Sequence, residues 1–364
     1  MELKKIVITG GPCAGKTTAL SWIQNYISQL GYTVLFVPET ATELLGGGVC
    51  PWTCGTNADY QIGQMELQLT KERIFERAAR TMPKDKILIV CDRGAIDNRA
   101  YMNDEEFNIV LESTGLSEVE LRDSYDAVFH LVTAANGAEK YYSFETNSAR
   151  YETVEEAVNL DKRIIKAWTG HPHLRIIDNS TSFDEKMKRL IKEISFFLGE
   201  SVSLEIERRL LIEYPDIKWL ESLPNCRKVD IVQTYLIAPP NEERRIRKRG
   251  ENGNYIYYKT TKRQISDVGR LEVEQRLRKG DYEKILKEAD PELNPVIKTR
   301  YCLTWKDKYY EIDIYPFWKD RAILEVELDD ENEPIVIPDG IKVIRDVSTE
   351  KEYKNSSLAR SIPK

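Results

Sequence analysis

No stretch of this sequence comes near the run of about 18 apolar residues that a membrane-spanning helix needs. A secretory leader is not expected either, because strand-like sequence begins by Lys4 and leaves no room for one. Cysteine is sparse. Its six copies are scattered, which fits a reducing, cytoplasmic setting. Cys50 and Cys54 flank Pro51-Trp52-Thr53, yet no second Cys or His pair stands nearby, so the segment reads as a loop rather than a zinc site. Nor is there an excess of positive charge: 53 Lys and Arg against 60 Asp and Glu give a net charge of -7, which argues against specific nucleic-acid partners. What remains is a globular composition, 31% charged and 41% hydrophobic. At 364 residues the chain is too long for one ordinary core and implies two or three domains.

The first feature present is a strand-like run, Lys5-Ile6-Val7-Ile8-Thr9, followed at once by Gly10-Gly11-Pro12-Cys13-Ala14-Gly15-Lys16-Thr17-Thr18. This is a complete P-loop in its expected setting, since Ala19-Leu20-Ser21-Trp22-Ile23 continues as an amphipathic helix. Gly10 and Gly15 let backbone N–H groups turn inward around phosphate oxygens, and the helix start adds partial positive charge. Lys16 is expected to reach the β- and γ-phosphates of a nucleoside triphosphate, and Thr17 to offer its hydroxyl to Mg²⁺.

Further strand-like runs at Thr33 to Val37, Lys86 to Cys91, Ala127 to Val132 and Leu174 to Ile177 alternate with helical patterns such as Tyr60 to Arg80 and Val154 to Trp168. That alternation predicts an α/β domain with a parallel, doubly wound sheet, whose ligands gather at the carboxyl ends of the strands. There stand Glu39, Asp92 and Arg93. Asp92 is placed to hold Mg²⁺ or orient an acceptor, and Arg93 to neutralise charge on a transferring phosphoryl group. Glu39 reads either as an acceptor-side base or as a carboxylate capping the next helix. In Asn147 to Glu152, Arg150 either folds over the triphosphate from a lid or stays solvated in a helix cap.

These residues, with Pro38-Glu39, Asp92-Arg93-Gly94 and Asp97, His130-Leu131-Val132-Thr133-Ala134-Ala135, Ala138-Glu139 and Ala167-Trp168-x-Gly170-His171-Pro172-His173, resemble one AAA-type P-loop class. It is the class shared by the ribosylnicotinamide kinases and the TRPL translocation defect proteins, and the likeness covers roughly residues 1 to 198. The translocation defect branch is the more similar; its members join this domain to one of CYTH type. The resemblance implies nucleotide binding, GTP included, with phosphoinositide binding also described for that branch, and it does not by itself imply kinase activity. No Asn-Lys-x-Asp guanine-reading motif is present, and Asp178-Asn179-Ser180 is suggestive by position alone, so ATP and GTP both stay open.

Phe196-Phe197-Leu198-Gly199 carries a helix stop signal, and a new pattern begins after it, which predicts domains at 1–198 and 199–364. Charges now recur at alternate positions: Glu205, Glu207 and Arg209; Arg245, Arg247 and Arg249; Glu272 and Glu274; Lys298 and Arg300; Glu311 and Asp313; Glu325 and Glu327. Period two puts each set on one face of a strand. Two arrangements fit: an antiparallel sheet with a wet charged face, or an antiparallel β-barrel with a polar interior and helices such as Asp281 to Ala289 outside. Segregation of sign between strands favours the barrel, because solvated faces usually interleave charges. Such an interior suits a polyphosphate or another anionic small molecule, clamped by Arg and Lys, with Mg²⁺ or Mn²⁺ on the carboxylates. Arg244 to Arg249 reads alternatively as a nuclear-localisation or nucleic-acid patch. The tail from Asn355 is expected to be partly disordered.

Glu205-Ile206-Glu207-Arg208-Arg209 resembles the E-x-E-x-K signature of CYTH, or triphosphate tunnel, domains, with Arg209 standing where that signature has Lys. The resemblance implies triphosphate binding by Arg209, Arg245, Arg247, Lys259, Lys298 and Arg300. It implies metal binding by Glu205, Glu207, Glu272, Glu274, Glu311, Asp313, Glu325 and Glu327. Two functions follow as expectations. One is a two-domain phosphate-chemistry enzyme; the other is a nucleotide-regulated protein whose tunnel captures an anion, such as a phosphoinositide headgroup, without turnover.

Overall fold

The structure, a computed structural model, describes residues 2–139, 153–200, 206–240, 242–264, 270–328 and 333–363, with 206, 263–264 and 270–273 described by backbone alone. It divides into two compact units, Met1–Ser201 and Val202–Lys364. No helix among the described residues is long and apolar enough to cross a membrane.

In the first unit, β1 (Glu2–Thr9), β2 (Thr33–Val37), β3 (Lys86–Asp92), β4 (Ala127–Leu131) and β5 (Leu174–Ile177) form one sheet in the order β2-β3-β1-β4-β5. Every pairing is parallel. The strands alternate with α1 (Lys16–Gln29), α2 (Thr40–Gly46), α3 (Asn57–Ala79), α4 (Asp104–Thr114), α5 (Glu118–Arg122), α6 (Val154–Trp168) and α7 (Phe183–Phe197). A sheet covered on both faces needs apolar residues on both, and Ile6, Val7 and Ile8 are all fully buried. Ile6 and Ile8 pack with Ile23 and Ile27 of α1, Phe129 of β4, and Met187 and Leu190 of α7. Each such full burial is worth about 1.5–3 kcal/mol, so β1, whose end carries the P-loop, is anchored at the centre of the unit.

Helix starts follow local signals. Thr153 accepts from the Glu156 N–H while the Glu156 side chain accepts from the Thr153 N–H, a capping box that opens α6. Asn103 with Glu106 does the same for α4, and Ser117 with Glu120 for α5. At the far end of α7 the chain turns through Gly199 at φ 73°, where the Gly199 N–H reaches the Phe196 carbonyl at 2.9 Å.

The second unit is an antiparallel nine-stranded sheet. Its strands are β6 (Ile206–Glu213), β7 (Cys226–Leu236), β8 (Glu242–Glu251), β9 (Asn254–Gln264), β10 (Arg270–Leu277), β11 (Val296–Trp305), β12 (Lys308–Ile314), β13 (Arg321–Leu328) and β14 (Val343–Asp346). They pair in the order β10-β9-β8-β7-β11-β12-β13-β6-β14, and no pairing among the described residues joins the two edges. One face is aliphatic and aromatic: Leu210, Ile212, Tyr301, Leu303, Ile312 and Leu324 pack with Leu220 of α8 (Ile217–Ser222). The opposite face carries the alternating charges, and its centre is buried rather than wet. Lys298 is 4% exposed, Arg300 9% and Asp313 not at all. Of the two arrangements the sequence allows, a polar interior is the one observed.

The expected helix from Asp281 is α9 (Lys279–Ile285), continued by a short 3₁₀ turn at Leu286–Glu288. The tail departs from expectation. Instead of a disordered end there is a last helix, α10 (Asn355–Leu358), with Leu358 and Ala359 buried against Tyr315, Trp318 and Tyr353. The Asn294 N–H donates to the Ala359 carbonyl at 2.9 Å, so apolar burial outweighs the polar Asn355-Ser356-Ser357 composition.

Candidate functional site

The P-loop leaves β1 through residues whose backbone other side chains exclude. Gly10 has φ 144°, and a Cβ there would stand 2.1 Å from the Leu131 carbonyl oxygen. Gly15, at φ 91°, lies under the Phe183 ring, 2.7 Å from where a Cβ would be. Cys13 takes φ 56°, a left-handed conformation that turns the loop between the two glycines. Pro12 and Ala14 are fixed from outside: the Thr133 hydroxyl donates to the Pro12 carbonyl and the Lys186 ammonium to the Ala14 carbonyl. Thr17 and Thr18 are exposed at the first turn of α1. The Lys16 ammonium donates to the Gly10 and Gly11 carbonyls at 3.2 and 3.3 Å. Burial, with Arg93 nearby, pushes Lys16 down to about 8.

Across the ends of β2 and β3 lie Glu39, Asp92 and Arg93. Arg93 Nε donates to Glu39 Oε1 at 2.5 Å, and Thr42 Oγ1 donates to Glu39 Oε2 at 2.7 Å. Burial would raise the Glu39 carboxyl, but Arg93 and Lys16 outweigh it and hold Glu39 down at about 2. Glu39 occupies the N-cap position of α2 without capping a backbone N–H, so its side chain joins Arg93 at the strand ends to the Thr42 hydroxyl of the helix. Asp92 closes β3. Burial raises its carboxyl, and its Oδ1 is buried without a hydrogen-bond partner among the described residues. Gly94 is required by packing, because a Cβ would meet Trp168 at 2.7 Å and Val7 at 2.9 Å. Asp97 then ties three elements together. It accepts from Thr9 Oγ1 at 2.7 Å, from Trp168 Nε1 at 2.6 Å and from the Gly94 N–H at 3.2 Å.

The P-loop also leans on residues that motif reading passes over. Asp161 accepts from the Gly11 N–H at 2.6 Å, and its Oδ1 lies 3.0 Å from His130 Nε2. Burial works to raise Asp161, while His130 and the amides of Gly11 and Thr133 bring it below the ordinary carboxylate value. Lys186, 2% exposed, donates to the Val132 carbonyl and to Asn179 Oδ1, both at 2.7 Å, and burial depresses it to about 8. A signal for both was present. Asp161 interrupts the apolar stripe Ala157, Leu160, Ile164, Ile165 and Trp168, and Lys186 leads the stripe Met187, Leu190 and Ile194. A charge on a buried helical face needs a partner inside.

In the second unit, register brings most of the predicted residues onto one face. Glu325 stands opposite Arg209 and Glu311, and Arg300 opposite Asp313. Arg300 is held by three carboxylates: Asp313 at 2.6 and 2.7 Å, Glu325 at 2.8 Å, and Glu311. Arg209 bridges Glu325 at 3.0 Å and Glu207. Lys298 pairs with Asp313, whose carboxyl burial would raise but Arg300 and Lys298 pull down to about 2. Farther along, Arg247 donates to Glu274 at 2.8 Å, and Arg245 stands opposite Thr260. Glu327 is exposed at the rim and stands opposite Glu207.

Lys259 is a correction: it stands opposite Ile246 and Gln275, on the other face from Arg245 and Arg247, whereas Lys262 shares theirs. The two-residue turn Asn252-Gly253 pairs odd positions of β8 with even positions of β9, so the numbering parity of the interior face changes there. Glu205 and Arg150, with the rest of Asn147 to Glu152, lie outside the described residues, and Glu272 is placed only by its pairing with Lys262.

Residues 5–186 match the family described as AAA domain. The chain belongs to that family. The AAA domain thus covers the P-loop, the Glu39-Asp92-Arg93 cluster, Asp161 and Lys186. Among solved structures the chain is similar to the inorganic triphosphatase NE1496, at 27% identity over 44% of this chain and 98% of that one, with a TM-score of 0.32. It is similar also to the PH1012 protein of Pyrococcus horikoshii OT3, at 19% identity over 35% of this chain and 80% of that one, with a TM-score of 0.27. No curated protein matches it. All the described cysteines are free, and Cys50 and Cys54 sit in a turn closed by Thr53 Oγ1. No group of three or more His, Cys, Asp or Glu suited to a metal ion occurs among the described residues.

Proposed function

We propose that the AAA domain binds a nucleoside triphosphate, ATP or GTP, and hydrolyses it or transfers its terminal phosphoryl group. The observation that carries this is the convergence of the P-loop lysine with Glu39, Asp92 and Arg93, four charged groups that perturb one another at the ends of three adjacent strands. Mg²⁺ fits the donors present, because Asp92 offers a buried oxygen that no other described residue engages and Thr17 an exposed hydroxyl. Bound there, the ion would offset charge on phosphate oxygens. Lys16 holds the phosphates, Arg93 faces charge developing on the group transferred, and Glu39 orients or deprotonates the acceptor, water included.

The second unit, on this proposal, takes an inorganic or organic triphosphate into its polar interior through Arg209, Arg245, Arg247, Lys298 and Arg300. One observation favours capture of an anion without turnover. Glu207, Glu311, Asp313 and Glu325 are each held by a guanidinium group, so as they stand these carboxylates do not fit a divalent-metal site.

The test is phosphate release from tripolyphosphate, ATP and GTP with Mg²⁺ or Mn²⁺. Lys16→Ala should abolish release by the first site and Glu207→Ala that by the second. Release unchanged in both variants, with anion binding intact, sinks the enzyme reading for both units. Loss with Lys16→Ala alone supports an NTPase joined to an anion-binding unit.

A further inference from the structure

We infer that the nucleotide base is held by stacking on Phe183, at a subsite that grips adenine and guanine alike. This rests on reading the AAA domain as a nucleotide site. A triphosphate seated in the P-loop leaves it at the first turn of α1, where Thr17 and Thr18 are exposed. The surface flanking the loop there is the start of α7, tied down because Lys186 donates to the Ala14 carbonyl one turn after Phe183. Phe183 lies directly on Gly15, its ring 2.7 Å from the position a Cβ would take. Yet Phe183 is 42% exposed, a large aromatic residue left open to solvent beside a phosphate-binding loop.

Asn179 and Asp178, the two side chains of the preceding loop best suited to reading a base edge, are already engaged within the protein. Asn179 Nδ2 donates to the Thr133 and Asn136 carbonyls at 2.8 and 2.7 Å, and its Oδ1 accepts from Lys186. Asp178 accepts from Ser180 Oγ at 2.6 Å and pairs with Arg189 at 2.8 Å. Neither is placed to read a base edge by the bidentate bonding that separates guanine from adenine. A π-face discriminates little between bases, since each of them has one.

The experiment titrates the intact protein with ATP, GTP and inorganic tripolyphosphate in Mg²⁺, reading in each case the component of binding that Lys16→Ala removes. Phe183→Ala should weaken ATP and GTP by about tenfold each, leave tripolyphosphate unchanged, and be rescued by Phe183→Trp. Unchanged nucleotide affinity in Phe183→Ala overturns the inference. So does a parallel loss for tripolyphosphate, which would make the ring a prop for Gly15, and so does a loss confined to one nucleotide. If Lys16→Ala removes no binding at all, the nucleotide-site reading itself fails, an outcome distinct from these.

Discussion

Arg93 donates to Glu39 across the ends of β3 and β2 from a backbone at φ 69°, a left-handed conformation that few arginines adopt. The Gln68 amide supports that backbone, donating to the Arg93 carbonyl at 3.4 Å, while Gln68 Oε1 accepts from Thr40 at 2.5 Å. One side chain of α3 therefore braces Arg93 and Thr40, the residue that follows Glu39. Strain held by its surroundings in this way is characteristic of sites that must keep a charge aimed.

Glu39→Gln removes the carboxylate but keeps the shape. Turnover at the first site should fall by about 100-fold or more, the usual contribution of a positioned acid or base. Nucleotide affinity, set by the P-loop, should change little. Single-turnover phosphate release and equilibrium nucleotide binding on the same variant separate the two. Equal losses in both would make Glu39 a structural partner of Arg93 only.

Gly11→Ala and Gly63→Ala should move stability in opposite directions. A Cβ on Gly11 would stand 2.7 Å from Asp161 Oδ1 and break the bond that fixes the loop. About 1–3 kcal/mol should be lost, with weaker nucleotide binding. Gly63 is in α3 with nothing within 4 Å of its added methyl, so alanine there should gain about 0.5–1 kcal/mol. Urea unfolding of the two variants checks both signs.

Lys186 makes stability depend on alkaline pH in a defined direction. Its folded value is about 8 against an ordinary 10.5. Between these limits the unfolded chain holds a proton that the folded one does not, so unfolding free energy rises with pH across that window. Wild type should accordingly gain stability relative to Lys186→Met from pH 8 to 10.5. A difference between the two proteins that does not vary over this range would show that the ammonium is not desolvated as its burial implies.

Asp313→Asn leaves Lys298 and Arg300 buried with one counter-charge fewer. Losing one member of a buried ion cluster costs about 3–5 kcal/mol, and chemical unfolding should report a loss of that order. The exposed pair Arg278 with Asp281 provides the contrast, since Asp281→Asn should change stability little.

Much of the AAA domain was legible because its signals are local. The P-loop is one continuous motif, β2 and α6 begin and end where apolar runs and capping residues say, and Gly199 stops α7. The supporting residues were not legible as a group. Asp161 meets Gly11 across 150 positions, and Lys186 meets Ala14 across 172, contacts that only the closed sheet creates. In the second unit period two found the interior face on β6, β8, β11, β12 and β13, but Lys259 fell on the wrong side because one tight turn reverses parity. The pairing of carboxylates with Arg209 and Arg300 was hidden as well, since strand spacing tells which face a charge occupies and not which neighbour it grips.

The grip on Arg300 makes ligand entry there an exchange. The guanidinium keeps its charge at any pH the fold survives, and its donors already serve Asp313, Glu325 and Glu311. An incoming phosphate must evict carboxylates, and each one evicted needs a new cation or a proton. Anion uptake by this interior should therefore be accompanied by uptake of positive charge from solution, and its strength should follow what cations the medium offers.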